Sequence, residues 1–285
     1  TNRPIARSIA ARDGVIYAAV ENGYLYAYDI DSRSKLWERN LLVETIQCSP
    51  VLGDGSLFIG TSNISRSAFF AVNTSNGEIE WELRMNESEN FLGFQSDPTY
   101  WNGMVYLGDG WGNIYCLDAD GFSNGNQGFT GETDTSSKAA DIIWNYKTTR
   151  FFIGGPSLGE GKVFIGDFAG YVYCLDAESG TLIWEERMGG GTTPSISSTP
   201  AYHDGTIYVA ARRSYTVSGF PRTGGALIAY DVSEETRLWQ FNITGTVQGS
   251  SPVIADGHLL FGGEDNRVYC LDITGGDDER LVWSR

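Results

Sequence analysis

The chain has 285 residues and carries 36 Asp and Glu against 20 Lys and Arg, which gives a formal net charge of −16. Such an acidic surface lacks the basic footprint that binding to nucleic acid phosphates or anionic lipids requires, so we exclude nucleic acid as a partner. No apolar run approaches the roughly 18 residues needed to span a bilayer, so we expect no direct membrane insertion.

The first segment, residues 5–40, sets a pattern that returns along the whole chain. An apolar run follows a turn at Gly14, a second run ends at Asp29, and Trp37 closes the segment. Runs of β-branched and aromatic residues separated by Gly, Asp, Asn and Ser are typical of antiparallel strands joined by hairpins.

Five further copies follow at residues 45–84, 94–147, 153–187, 196–242 and 248–285. Copies two to six begin with a strand opened by Pro, a residue that cannot donate to a sheet ladder and therefore suits a strand start. Each copy is therefore predicted to contain four strands. Three copies carry insertions, which we interpret as loops: residues 61–67 in copy two, 119–141 in copy three and 212–225 in copy five.

Repetition with a period of about 40 to 50 residues is typical of propellers and solenoids. We predict an all-β protein, a β-propeller of four-stranded antiparallel blades, with one domain over residues 1–285. Six blades are visible, and seven or eight would be present if the chain is a fragment. A large indole in each copy is predicted to dock neighbouring blades: Trp37, Trp81, Trp144, Trp184, Trp239 and Trp283.

The segments that end at these tryptophans resemble a motif of a known family. Residues 27–37, 71–81, 174–184 and 229–239 are similar to Ala-x-Asp-x-x-x-Gly-x-x-x-Trp, the tryptophan-docking motif of the pyrroloquinoline-quinone (PQQ) propeller family. The resemblance implies that each indole packs between adjacent blades, while the Asp and the Gly fix the preceding turn.

The same resemblance raises the question of catalysis. Quinoprotein dehydrogenases of the family use a vicinal Cys-Cys disulfide, a catalytic Asp and a calcium site, and this sequence has no Cys-Cys pair. We therefore assign no catalytic residue and expect neither PQQ nor another cofactor. A PQQ-dependent quinoprotein oxidoreductase and a polysaccharide lyase or hydrolase are kept as alternatives.

The insertion of copy three offers a candidate calcium loop. Asp118, directly before the insertion, and Asp120 and Asn124 within it present oxygen atoms at alternating positions, as calcium loops do, but the full helix-loop-helix pattern is not met. Calcium is therefore kept as a possible ligand, and the alternative is a turn-rich insertion without an ion.

Three of the four cysteines share one repeat position. Cys116, Cys174 and Cys270 stand where the other copies have Ala, so we predict small buried side chains with free thiols.

Loop residues predict a recognition surface. Loops between the second and third strands of a blade share one face with the blade-to-blade connections, and large aromatics with Arg are favoured interface anchors. The alternative is that several of these aromatic side chains fill the central channel of the propeller or hold neighbouring blades together. The candidates on this face are Trp111, Phe168, Arg150, Phe151, Arg212, Arg213, Tyr215, Phe220 and Arg222.

We therefore predict a non-catalytic binding or scaffolding propeller that binds a protein or carbohydrate partner. Its resemblance to non-enzymatic PQQ-like members, which assist outer-membrane barrel assembly or form sensor ectodomains, implies an extracellular, cell-surface or periplasmic location. The acidic excess, with only 4 Lys among the 20 cations, also resembles proteins of high-salt organisms.

Overall fold

A computed structural model describes residues 5–42, 45–62, 67–84, 93–121, 139–189, 194–218, 220–276 and 280–285. Within them the chain forms six four-stranded antiparallel sheets, each with its strands in chain order. The predicted all-β propeller of four-stranded blades is confirmed. No helix in this part of the chain is long and apolar enough to cross a membrane. The chain divides into two compact units, Thr1–Phe151 and Phe152–Arg285, and a single domain over residues 1–285 stays a prediction.

The first unit contains blades 1 to 3. Blade 1 is formed by β1 (Ile5–Arg12), β2 (Val15–Val20), β3 (Tyr24–Asp29) and β4 (Lys35–Asn40). Blade 2 is formed by β5 (Val51–Gly53), β6 (Ser56–Gly60), β7 (Ala68–Asn73) and β8 (Ile79–Arg84). Blade 3 is formed by β9 (Thr99–Trp101), β10 (Met104–Gly108), β11 (Asn113–Asp118) and β12 (Asp141–Lys147).

The second unit contains blades 4 to 6. Blade 4 is formed by β13 (Ser157–Gly159), β14 (Lys162–Gly166), β15 (Tyr171–Asp176) and β16 (Leu182–Arg187). Blade 5 is formed by β17 (Ala201–His203), β18 (Thr206–Val217), β19 (Phe220–Asp231) and β20 (Thr236–Ile243). Blade 6 is formed by β21 (Val253–Ala255), β22 (His258–Gly263), β23 (Arg267–Asp272) and β24 (Leu281–Ser284).

The turn between the first two strands has the same backbone conformation in all six blades. In blade 1, Asp13 has φ 50° and Gly14 has φ 78°, and each equivalent pair also has two positive φ angles. Two successive positive φ values define a type I′ turn, whose twist matches that of the strands it joins. The glycine carbonyl then accepts a hydrogen bond from the residue after the third strand, as from Ile30 N to Gly14 O at 2.8 Å.

The hydrophobic core lies between blades. In the first unit, Leu25 and Trp37 of blade 1 share one buried cluster with Leu57 and Phe70 of blade 2. Blades 2 and 3 share a second cluster, and in the second unit two more lie between blades 4 and 5 and between blades 5 and 6. Because each sheet has two apolar faces, a blade is stable only between neighbours.

Tryptophan docking follows one geometry within both units. The indole Nε1 of Trp37 donates to Thr74 O at 2.8 Å, that of Trp81 to Ala119 O at 2.8 Å and that of Trp184 to Val232 O at 3.3 Å. Each acceptor is the residue directly after the third strand of the next blade. These three tryptophans are at most 8% exposed, so the predicted packing between blades is confirmed for them.

Gly77, the motif glycine of blade 2, and Gly121, which follows the third strand of blade 3, each provide the surface on which the preceding blade's indole lies. A Cβ atom on Gly77 would lie 2.6 Å from Trp37 Cε3, and one on Gly121 would lie 2.6 Å from Trp81 Cδ1. Both glycines also have positive φ. Each glycine therefore both turns the chain and makes room for the preceding blade's indole.

The predicted equivalence of the six tryptophans does not extend to the last of them. Trp144 is 4% exposed, whereas Trp283 is 39% exposed. Trp239 is half-buried, with the Arg280 guanidinium carbon 4.1 Å from its ring centroid. Leu281 and Val282 on the same strand, β24, are exposed as well. Docking of Trp283 between blades stays a prediction.

The shared Ala or Cys position lies directly opposite the tryptophan. Cys116 pairs with Trp144, Cys174 with Trp184 and Cys270 with Trp283, and a register shift follows each pair. Only a small side chain leaves room for the neighbouring indole on that face. All four cysteines are free and buried, as predicted for Cys116, Cys174 and Cys270.

The insertion of copy five is a pair of strands, and its predicted loop conformation is wrong. Strands β18 and β19 each continue to 12 residues and stay paired from Thr206↔Asp231 to Val217↔Phe220. The extra residues include Tyr215 and Thr216, which favour strands. The insertion is therefore a long hairpin, and Arg212 and Arg213 lie on a strand.

Candidate functional site

Within a blade, the connection to the next blade and the turn between the second and third strands meet at the same end of the sheet. Backbone hydrogen bonds join them in three blades: Leu41 N to Gly23 O at 2.9 Å, Thr148 N to Gly112 O at 2.7 Å and Met188 N to Gly170 O at 2.8 Å. We call these ends of the blades the connection face. The turns between first and second strands lie at the opposite ends of the strands.

A buried aspartate organises the turn on this face in blade 3. Asp109 is 0% exposed. Its Oδ1 accepts hydrogen bonds from Trp111 N and Asn113 N, both at 2.8 Å, and its Oδ2 accepts them from Asn113 Nδ2 at 2.6 Å and Tyr115 Oη at 3.1 Å. Burial raises the pKa of the Asp109 carboxyl, and the four hydrogen bonds oppose the shift.

The same arrangement recurs in blade 4. Asp167 is also 0% exposed and accepts hydrogen bonds from Ala169 N at 2.8 Å, Tyr171 N at 2.9 Å and Tyr173 Oη at 2.9 Å. In blade 6, the Tyr269 hydroxyl donates to Asp265 at 2.5 Å. Since the buried Asp109 and Asp167 carboxylates are satisfied by their own turns, they act as structural acceptors.

The candidate residues of the first unit gather at the end of blade 3. Trp111 lies half-buried in the β10–β11 turn, and Lys147 Nζ donates to its carbonyl at 2.9 Å. Arg150 is exposed, and its carbonyl lies 2.5 Å from where a Gly112 Cβ would be. Phe151 follows it and is half-buried. Trp111, Arg150 and Phe151 are thus brought to one end of blade 3.

The candidates of the second unit are divided between a turn and the long hairpin. Phe168 is half-buried in the β14–β15 turn. On β18, side chains alternate between the two faces of the sheet, so Arg212 lies on one face while Arg213 and Tyr215 lie on the other. The Arg213 guanidinium carbon is 5.2 Å from the Tyr215 ring centroid. Arg222 is exposed on β19 opposite Tyr215, and the Phe220 side chain is outside the described residues.

The calcium candidates stand at the base of the copy-three insertion. Asp118 is 4% exposed, and its Oδ1 accepts a hydrogen bond from Asp120 N at 2.9 Å. Asp141 pairs with Asp118 across the strands and is 0% exposed, and burial first and Asp118 second raise its pKa. Asn124 lies outside the described residues. In the described ranges no group of three or more His, Cys, Asp and Glu side chains could hold a metal ion, and calcium binding stays a prediction, testable by calcium titration of Tm.

A pocket of about 270 Å³ lies in the second unit, and no motif in the sequence indicates it. Arg187 of β16, Arg213 of β18, and Arg237 and Gln240 of β20 line it. Arg187 and Arg237 stand on outer strands of neighbouring blades, 50 positions apart, and no sequence motif links them. The only signal was Arg213 itself, which was assigned to a loop.

Four-stranded blades, buried docking tryptophans and aspartate-organised turns together define a β-propeller of the PQQ-like repeat class. The sequence pattern of one family, described as outer membrane protein assembly factor BamB, matches residues 2–142 and 136–285. The chain belongs to this family.

Curated relatives include both an assembly factor and a hydrolase. The outer membrane protein assembly factor BamB of Moranella endobia is 24% identical over 99% of this chain and 65% of its own length. A tetrathionate hydrolase of Acidithiobacillus ferrooxidans is 19% identical over 95% of this chain and 56% of its own length. The chain thus spans between half and two thirds of these two relatives.

Solved structures show the same fold. BamB from Moraxella catarrhalis has a TM-score of 0.70 and 17% identity, over 98% of this chain and 75% of that one. A quinohemoprotein alcohol dehydrogenase from Pseudomonas putida has a TM-score of 0.69 and 14% identity, over 99% of this chain and 58% of that one. At these identities the likeness supports the fold alone.

Proposed function

We propose that this chain is a non-catalytic, protein-binding propeller of the cell envelope that engages its partner through the connection face. The observation that carries the proposal is the family match, which extends over residues 2–142 and 136–285 and whose description is that of an assembly factor. Similarity to BamB proteins, which are named as outer membrane protein assembly factors, supports a location at the cell envelope.

The geometry of the connection face supports a binding role. The buried Asp109 and Asp167 carboxylates, which could otherwise serve as acids or bases, accept hydrogen bonds from the backbone and from tyrosines of their own turns. Those turns hold Trp111 and Phe168, both half-buried. Rigid turns that present aromatic side chains suit recognition, because little conformational entropy is lost on binding.

Site-specific photo-cross-linking in cells of the source organism tests the proposal. A photoreactive amino acid replaces Trp111 or Phe168 on the connection face, and matched control variants carry it at Ser32 or Ser179, in turns between the third and fourth strands. We expect one recurrent envelope protein to be cross-linked from Trp111 and Phe168 only.

Equal cross-linking from both sets of positions, or none from Trp111 and Phe168, contradicts the proposal. In the second case the purified chain is assayed for dye-linked alcohol oxidation with PQQ and calcium, and for turnover of acidic polysaccharides. Turnover in either assay would support the quinoprotein or the polysaccharide-active alternative instead.

A further inference from the structure

Three arginines converge on the pocket between blades 4 and 5. Arg187 is the last residue of β16, Arg213 lies on the extended part of β18, and Arg237 lies near the start of β20. Met188 and Gly189 line the pocket from blade 4. The pocket volume of about 270 Å³ is large enough for a small ion or for an anionic group of a larger molecule.

The partners of two of these arginines are neutral. Arg213 Nη1 donates a hydrogen bond to Asn242 Oδ1, and Arg237 Nη1 donates one to Gln240 Oε1 at 2.8 Å. Among the described residues, none of the three arginines forms an ion pair. The neutral partners orient two of the guanidinium groups without cancelling their charge.

The lining of the pocket contrasts with the rest of the chain. The sequence has 36 acidic residues against 20 Lys and Arg, yet the described lining residues include three Arg and no Asp or Glu. Burial, followed by Glu186 and Glu235, raises the pKa of nearby Tyr230, and Arg237 lowers it. Neither glutamate lines the pocket. Three like charges at one site repel each other, so an anion among them would be stabilised.

We propose that this pocket binds an oxyanion, namely a carboxylate, sulfate or phosphate group. A guanidinium group offers parallel N–H donors whose geometry matches two oxygens of such a group. The net charge of −16 repels anions at long range, so binding depends on these short-range contacts. The proposal goes beyond the proposed function and does not depend on it.

Calorimetric titration of the full chain with sodium sulfate, sodium phosphate and sodium malonate tests the proposal, with sodium chloride at equal ionic strength as the blank. We expect saturable binding of at least one oxyanion and none of chloride. A parallel titration with an Asp-rich peptide tells whether a carboxylate on a larger molecule binds in place of the free ion.

Removing one guanidinium charge should weaken binding selectively. We expect Arg213→Gln and Arg237→Gln each to raise the dissociation constant about tenfold or more, because each removes a charge-assisted hydrogen bond. Arg213→Lys should bind the oxyanion more weakly than the wild type but more tightly than Arg213→Gln. Lysine keeps the positive charge but lacks the two parallel N–H donors of a guanidinium group.

Arg222→Gln is the matched control. Arg222 lies on the same hairpin and is exposed outside the pocket, so its substitution should leave the dissociation constant unchanged. The proposal is overturned if no oxyanion binds saturably, or if Arg222→Gln weakens binding as much as Arg213→Gln and Arg237→Gln. Circular dichroism checks the fold of each variant, and if Arg213→Gln does not fold, Arg237→Gln and Arg187→Gln decide the outcome.

Discussion

Gly77 has a left-handed backbone conformation and also contacts an indole. The contribution of each feature to the free energy of unfolding can be measured separately. Gly55 has φ +89° and no atom within 4 Å of the place that a Cβ would take, whereas Gly77 has φ +71° and Trp37 Cε3 only 2.6 Å from that place. We expect Gly55→Ala to lower the free energy of unfolding by about 1 to 2 kcal/mol, the cost of a left-handed L-residue.

Gly77→Ala should cost clearly more than Gly55→Ala, because the methyl group also displaces the Trp37 ring. Urea unfolding followed by tryptophan fluorescence measures both variants. Equal losses of unfolding free energy in the two variants would mean that the position of the Trp37 ring does not require a residue without a side chain at position 77.

The buried thiols should be unreactive in the folded protein. Burial raises the pKa of Cys116 and of Cys174 to about 12, so at pH 8 both thiols are protonated when the chain is folded. Cys48 is 0% exposed, and its Sγ donates to Gly60 O at 3.2 Å. Because the thiolate is the reactive species, we expect no labelling of these three cysteines by iodoacetamide at pH 8.

Mass spectrometry of the native and the urea-unfolded chain checks this expectation. All four cysteines should be labelled after unfolding, where burial no longer protects them and no longer raises the pKa of Cys116 and Cys174. Since the folded state holds the thiol protons of Cys116 and Cys174 more tightly than the unfolded chain does, stability should also fall as the pH rises above about 8.5, the ordinary thiol pKa. Rapid labelling of Cys174 in the native state would contradict the packing described for blade 4.

At the scale of a blade, the docking tryptophan should dominate stability. Trp184 contacts Tyr230 of the next blade with ring centroids 5.2 Å apart and is 6% exposed. We expect Trp184→Ala to lower the free energy of unfolding by about 3 to 5 kcal/mol.

Trp101→Ala is the matched control, since it removes the same side chain from β9, where Trp101 is 49% exposed. Its effect should stay near 0.5 kcal/mol. If the two variants lose the same stability in denaturant titrations, burial between blades is not what gives Trp184 its importance.

Strand positions could be predicted from the sequence because they depend on local signals. The Asp-Gly or similar pair at each first turn, Pro50 before β5 and the small residue opposite each tryptophan all follow from backbone and packing constraints within one repeat. The long hairpin of blade 5 was missed because constant spacing in the other copies favoured a loop, although Tyr215 and Thr216 suit a strand.

At the scale of the whole molecule, the net charge of −16 predicts a stability that rises with salt. Like charges repel in the compact state, and the Debye length falls from about 10 Å at 0.1 M to about 3 Å at 1 M salt. We expect Tm to increase between these two sodium chloride concentrations, as it would in a protein from a high-salt organism.

A charge-reduced variant separates this effect from the general action of salt. Glu21, Glu178 and Glu234 are exposed, and replacing all three with Gln changes the net charge from −16 to −13. The variant should show a smaller rise in Tm over the same range. An identical rise in both proteins would contradict a role for charge repulsion.

The candidate site was less predictable than the fold, because its residues lie far apart in the sequence. Trp111 and Arg150 could be assigned to one face because strand order alone places their loops together. The pocket of Arg187, Arg213 and Arg237 depends on the packing of two blades. A single sequence gives no indication that residues 50 positions apart, such as Arg187 and Arg237, lie close together.

The direction of the indole hydrogen bonds gives these repeats a polarity. Trp37, Trp81 and Trp184 all reach forward along the chain, and each finds its acceptor in the following repeat. Each of these joints therefore consists of an indole donor on one repeat and a backbone carbonyl acceptor on the next repeat. Tandem duplication of a whole repeat copies the indole and the acceptor site together. A protein of this kind can therefore gain blades during evolution without evolving a new interface between them.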